Sequence, residues 1–259
     1  MRFCTVVAIA SSACSFEPSQ ARAIDAARTA DAQRLDATDG ADAAMLDAYV
    51  PADVVAIQSL TKPYGTDDDF SLLISATHGD VLIAATYASE IGAVSVTDSA
   101  GLSWTSLTRR SENTGPCDEV EAQFWYAVLA SDVTTTVDLH QTDAAAIGMQ
   151  LIEYSGVSTT SPIDGDVGGA APNSTMNLTT PPITTSHDGA VLAIFADVEG
   201  GGMMTPGSGW TARGSDTEFF TLLVDNAPGS AAGTFVPSGG LPGGASNCWV
   251  GAAIGLRAR

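Results

Sequence analysis

The stretch His78-Gly-Asp-Val-Leu-Ile-Ala84 returns, little changed, as His187-Asp-Gly-Ala-Val-Leu-Ala193. Each copy sets a polar turn before a short apolar run, the pattern of a strand entering a core. Three further segments recur in the same order, about 100 residues on. Ser103-Trp-Thr105 matches Gly209-Trp-Thr211, Glu121-Ala-Gln-Phe-Trp-Tyr126 matches Thr217-Glu-Phe-Phe-Thr-Leu222, and Ile147-Gly-Met-Gln-Leu151 matches Val250-Gly-Ala-Ala-Ile254. Such order points to a chain built from two half-repeats, at about 70–157 and 174–258.

Around these motifs lie short runs rich in Val, Ile, Thr and aromatics, separated by Gly, Pro, Asp and Asn, which are strand and turn signals. Strands are expected over 54–60, 70–76, 81–89, 93–97, 103–109, 121–130, 134–140, 147–154, 175–179, 190–196, 210–213, 218–224, 233–236 and 249–257. Val94-Ser-Val96 and Thr136-Val-Asp-Leu139 alternate with period two, as half-buried strands do. Asp98-Ser-Ala-Gly101 reads as a hairpin turn. No segment reads as a long amphipathic helix. The halves would form either two domains or two interleaved parts of one. Only loop-like sequence at 155–173 separates them, and each half alone would leave open strand edges. The expected fold is therefore all-β: one antiparallel β-sandwich of jelly-roll type over 53–259, built from both half-repeats.

The chain before this domain differs in kind. Met1-Arg-Phe-Cys-Thr-Val-Val-Ala-Ile-Ala-Ser-Ser-Ala-Cys14 has one cation, an apolar run and small residues before a cysteine. The run at 3–10 is far short of the roughly 20 residues a spanning helix needs, so it reads as an export signal. Residues 15–52 repeat Asp-Ala at 25–26, 31–32, 36–37, 42–43 and 47–48 with few large apolar side chains. Such a segment cannot bury enough surface to offset its ordering entropy, although an Ala-rich helix is the alternative. As a flexible coil it would reach on the order of 35 Å.

The leader resembles a bacterial lipoprotein signal, and the Asp-Ala stretch resembles the linkers of bacterial surface lipoproteins. The resemblance covers residues 1–52 and implies a lipid anchor on Cys14 in the bacterial cell envelope, at the outer membrane or cell surface. Ser11 stands where that pattern has Leu, which leaves a secreted or periplasmic protein as the alternative. The domain also resembles a β-sandwich module of large secreted bacterial proteins. Its marks are Gly79-Asp-Val-Leu-Ile-Ala84, Thr97-Asp-Ser-Ala-Gly101, Trp125-Tyr-Ala127 and Glu153-Tyr-Ser-Gly-Val157. That resemblance implies a sandwich and an extracellular setting, and brings no catalytic residues with it.

Charge narrows the partners. The chain has 30 acids against ten Lys and Arg, and Lys62 is its only lysine. Residues 53–259 hold 23 acids and six bases, a net of −17. Such a surface repels phosphate backbones and anionic headgroups, so nucleic acid is excluded and membrane contact falls to the lipid anchor. Glycans and cell-surface proteins remain as partners. Of four cysteines, Cys117 and Cys248 lie in the domain. In an oxidising compartment an even remainder favours a disulfide, two buried thiols being the alternative.

No Gly-x-Ser-x-Gly elbow, phosphate-cradling Gly-rich loop or metal-binding His pair is present. His78, His187 and His140 read as polar residues at strand ends. Glu121, Glu153 and Glu218 are the carboxylates a polysaccharide hydrolase or lyase would draw on, but in so acidic a chain their presence says little. In Lys62-Pro-Tyr-Gly-Thr-Asp-Asp-Asp69, Asp67, Asp68 and Asp69 offer oxygen ligands for calcium, with Tyr64 placed to stack on a sugar. A solvated acidic turn gives the same sequence. Met203, Met204 and Trp210 bracket a Gly-rich loop and would form an adhesive patch if exposed together, although Trp104 at the matching repeat position argues for core. The function expected is a non-enzymatic binding or adhesion module, glycan-binding in the first instance. A structural envelope component and a polysaccharide-active enzyme are the alternatives.

Overall fold

The run Val-Leu-Ile-Ala-Ala-Thr-Tyr-Ala over Val81–Ala88 is buried at every position. A strand with one face in water cannot look like this, so both of its faces must meet other layers. The computed structural model describes residues 53–62, 69–89, 92–112, 120–142, 146–170, 176–197, 203–217, 221–244 and 248–259. The leader, Cys14 and the Asp-Ala stretch lie outside these residues.

Among the described residues the chain is all-β, without a helix. The first half runs β1 (Val55–Thr61), β2 (Asp69–Ala76), β3 (Val81–Ala88), β4 (Val94–Asp98), β5 (Thr105–Ser106), β6 (Arg110–Glu112), β7 (Val120–Val128), β8 (Val133–Gln141) and β9 (Ile147–Ser155). The second runs β10 (Ile163–Ala170), β11 (Asn177–Thr179), β12 (Ile183–Thr184), β13 (Gly189–Asp197), β14 (Thr205–Pro206), β15 (Thr211–Asp216), β16 (Thr221–Asp225), β17 (Thr234–Phe235), β18 (Ser238–Gly240) and β19 (Trp249–Arg257). All pairings are antiparallel. One large sheet has the order β1-β9-β3-β7-β5, with β6 also on β7, and a smaller one the order β2-β8-β4. The second half repeats the scheme: β10-β19-β13-β16-β15 in the large sheet, with β11-β18-β14 and β12-β17 in place of the small one.

Period-two alternation distributes the side chains of each central strand between two cores. From β3, Val81, Ile83, Ala85 and Tyr87 enter a core shared with Ala190, Leu192, Ile194 and Ala196 of β13. The alternate residues Leu82, Ala84 and Ala88 pack with Phe70, Ile74, Val137 and Leu139 of the small sheet. Val191, Ala193 and Phe195 of β13 do the same with Leu178, Ile183 and Met204. Each fully buried aliphatic side chain of this kind contributes about 1.5–3 kcal/mol. The large sheets cross so that β1 meets β15 and β10 meets β6. Equivalent edges thus exchange places, as in an isologous interface.

Polar bonds, the tyrosine ones buried, tie the two large sheets together. Tyr87 donates its hydroxyl to Asp216 at 2.9 Å and Tyr154 to Asp225 at 2.7 Å, both buried. Arg213 Nε closes on Asp225 at 2.8 Å. Thr108 N–H donates to Asp166 at 2.8 Å, and Arg110 stands 3.5 Å from the same carboxylate.

Several sequence expectations are corrected. The supposed loop at 155–173 contains β10. Its Ile-Asp-Gly-Asp-Val-Gly-Gly-Ala has poor strand propensity, yet a side chain at Gly168 would overlap Arg110, so the glycine permits close packing against the other sheet. Asp98-Ser-Ala-Gly101 turns but forms no hairpin, because β4 pairs with β8 whereas β5 pairs with β7. The expected strand at 103–109 shrinks to Thr105–Ser106 before β6. The first two repeat matches keep register, but the others slip. Ile83 pairs with Tyr126 and Ile152, Leu192 with Asp225 and Ile254, so the last match is one residue out and the Glu121 match three. Where one pair of sheets is the sequence expectation, the described residues form several.

Candidate functional site

Two carboxyl groups meet where the first half opens to solvent. Asp80 immediately precedes β3, and Glu153 of β9 stands opposite Leu82. Both are buried. Glu153 lies within the buried run of β9, where Gln150 is the other buried polar side chain but Glu153 alone carries charge, so that charge must be compensated locally. Thr77 N–H donates to Glu153 Oε1 at 2.7 Å, and Gln58 Nε2 donates to Oε2. Burial, then the hydrogen bond and negative charge of Glu153, push the Asp80 carboxyl up to about 6, against the opposing pull of Arg259. Arg259 Nη2 lies 3.7 Å from Asp80 and also donates to the Gly79 carbonyl. The Asp80 carboxyl therefore keeps its proton into mild acid.

The same bonds shape an open hollow of ≈ 340 Å³, lined by Ser75, Ala76, Thr77, Asp132, Val133 and Thr134. It sits where β2 and β8 meet, with Ser75 paired to Thr134 and Ala76 to Val133. Ser75 Oγ and Thr134 Oγ1 are 2.8 Å apart. Asp132 accepts the His78 N–H at 2.8 Å. Gln58, already on Glu153, also donates to the Ser75 carbonyl. Through Gln58 and Thr77 the carboxyl pair thus holds the backbone of the hollow's wall. Hydroxyls and a carboxylate on an open rim suit a ligand rich in hydrogen-bonding groups.

The expected site residues fall elsewhere. Tyr64, Asp67 and Asp68 lie outside the described residues. Asp69 begins β2, largely exposed, with its carboxylate 2.8 Å from His140 Nδ1. Among the described residues no group of three or more His, Cys, Asp or Glu is arranged to hold a metal ion. Met203 is 60% exposed, but Met204 is 4% exposed and inside the second half's core, with Trp210 packed against it. The three therefore present no joint adhesive patch. Trp104 packs on the first half's core and donates to Asp98 at 2.9 Å. Cys248 is fully buried, whereas Cys117 lies outside the described residues. His187 Nδ1 is 3.1 Å from Asp164. Burial works to raise the Asp164 carboxyl, but hydrogen bonds from His187 and Ser186 outweigh it and hold the group below its ordinary range.

Of the hydrolase carboxylates, Glu218 lies outside the described residues, and Glu121 and Glu153 do not converge. Glu121 is opposite Ala88 and Glu153 opposite Leu82, six residues apart along β3, or roughly 20 Å. Glu121 is buried, 3.3 Å from Arg109. Glu153 is held by Thr77 and Gln58, and Asp80 lies beside Arg259, so both carboxyls are engaged by the protein itself. Sequence reasoning missed Asp80 as the partner of Glu153. The available signal was a glutamate in a run with no polar alternation, which demands a partner. No protein-family model matches the chain, and neither a curated protein nor a solved structure does.

Proposed function

We propose that this is an exported, membrane-tethered binding or adhesion module that takes glycans and performs no catalysis. The observation that carries this reading is the open hollow at Ser75–Thr77 and Asp132–Thr134, lined by hydroxyls and one carboxylate and braced from behind by the carboxyl pair. Its polar atoms both donate and accept, as sugar hydroxyls do. The acidity of the chain argues against anionic partners and leaves neutral glycans favoured. In this reading the domain is an antiparallel sandwich of jelly-roll type built from both half-repeats, supported by the order β1-β9-β3 with β2-β8-β4 in the first half and β10-β19-β13 with β11-β18-β14 in the second. Cys14 carries the lipid, residues 15–52 are the tether, and Cys117 pairs with Cys248.

The test is a glycan array probed with the full chain in detergent, beside an assay for reducing sugar released. Binding without release is the expected result. Release that tracks the protein through purification would make it an enzyme and overturn the reading. For the anchor, Cys14→Ser should move the protein from the membrane to the soluble fraction, and a wild-type protein already soluble would contradict it.

A further inference from the structure

The small sheet β2-β8-β4 has one face in the first half's core and the other in solvent. Phe70, Ile74, Val96, Val137 and Leu139 take the core side. The solvent side is built in register rows. Ser71, Asp138 and Thr97 stand side by side across the three strands. In the next row Leu73 pairs with Thr136, and Thr136 with Ser99 through a 3.0 Å backbone bond and a 3.1 Å bond from its N–H to the Ser99 hydroxyl. Ser75 and Thr134 complete the face and also line the hollow. At the opposite end Asp69 and His140 stand 2.8 Å apart beside Ser95. Strands about 4.8 Å apart, with outward residues about 6.7 Å apart along each, set these groups on a regular grid.

The chemistry of the grid is specific. It presents hydroxyls in every row, no lysine or arginine, and one carboxylate without a cation beside it in its row. Leu73, 65% exposed, is its one large apolar side chain and stands in the middle. An anionic partner is disfavoured by the charge of the chain, and a protein partner would want more apolar area than one leucine. A neutral polysaccharide matches both features: its hydroxyls pair with serine and threonine, and the C–H face of one sugar packs on Leu73.

We propose that the solvent face of β2-β8-β4 is the docking surface for an extended neutral polysaccharide, running from the Ser75–Thr134 hollow across Leu73 and Thr97. This rests on the glycan-binding reading and names the surface and ligand class. The full chain, in detergent, is tested for retention on cellulose, chitin and β-1,3-glucan beads, with array glycans as competitors. Retention on at least one bead is expected, unchanged in high salt because no charge pair carries it. Leu73→Glu and Thr97→Glu, both at exposed positions, should each weaken it about tenfold or more while leaving the circular dichroism spectrum unchanged. Thr179→Glu, on the exposed side of β11, should not. Retention lost in Asp132→Ala but kept in both face variants would overturn the inference and leave glycan binding at the hollow standing. No retention, with no array signal, would overturn both. Retention on envelope fragments that protease abolishes and periodate spares would assign the face to a protein and overturn the inference as well.

Discussion

The two halves share a strand order and differ where chemistry is possible. Val81 pairs with Tyr154 and Ala190 with Leu256, so the positions just before them correspond: Asp80 with Gly189, Glu153 with Gly255. The first half places two interacting carboxyls there. The second places two glycines with no room for a side chain, since a Cβ at Gly189 would overlap the Leu256 carbonyl and one at Gly255 would press on Thr185 and Asp164. The outer layers diverge too. β2 and β8 have eight and nine residues and alternate cleanly, whereas β11, β12, β14, β17 and β18 have two or three. The central sheets must satisfy each other and so keep one pattern. The outer layers answer to solvent and are free to diverge, and among the described residues only β2-β8-β4 contains long strands.

The comparison breaks most visibly if the carboxyl is transplanted. Gly189→Asp should cost about 3 kcal/mol or more, because backbone rather than a mobile side chain blocks the new atoms, lowering Tm by about 6–12 °C. Asp80→Gly should cost far less. Comparable losses in calorimetric melts would mean that the two sites are not sterically different. Next in size, Glu153→Ala strips the partner from the Thr77 N–H and from Gln58 and should cost about 2–3 kcal/mol in urea unfolding. A loss within error would mean water replaces the carboxylate freely.

Tyr154→Phe removes one buried hydroxyl between the halves and should cost about 1–1.5 kcal/mol, with Asp225 kept from isolation by Arg213. The smallest effect is on pH dependence. Asp80 holds its proton up to about 6 when folded, against 3.8 when unfolded. Between those values the folded state binds more protons, so its contribution is complete below 3.8 and is lost as pH rises through about 6. The loss should be on the order of 1 kcal/mol and should vanish in Asp80→Asn. An unchanged pH–Tm slope in that variant would place the titration elsewhere.

Much of the fold was legible because hydrophobic pattern alone carries it. The apolar runs of β3 and β13 and the alternation of β4 and β8 announce strands regardless of partners. β10 was not legible, since its glycines and aspartates become a strand only when a second sheet needs close approach. Register was legible where Trp104 and Trp210 anchor it, and was lost between Glu121 and Thr217, where no landmark stands. Met204 looked like surface because its loop is glycine-rich, yet it turns into the core. The carboxyl pair was half-visible. Glu153 was one of three candidate glutamates not set apart from one another, and Asp80 lies 73 positions away in sequence, so that only antiparallel pairing brings the two together. Hydroxyl rows such as Ser71, Asp138 and Thr97 likewise exist only once β2, β8 and β4 are in register.

Two halves with different surfaces thus share one central core between their large sheets. Native-state hydrogen exchange of the full chain tests it most directly. Amides of β3, β9, β13 and β19 should open with one common free energy, the highest in the molecule, while β11 and β18 open more readily than β2 and β8. Separate opening free energies for the β3–β9 and β13–β19 pairs, with either half unfolding while the other stays protected, would contradict it.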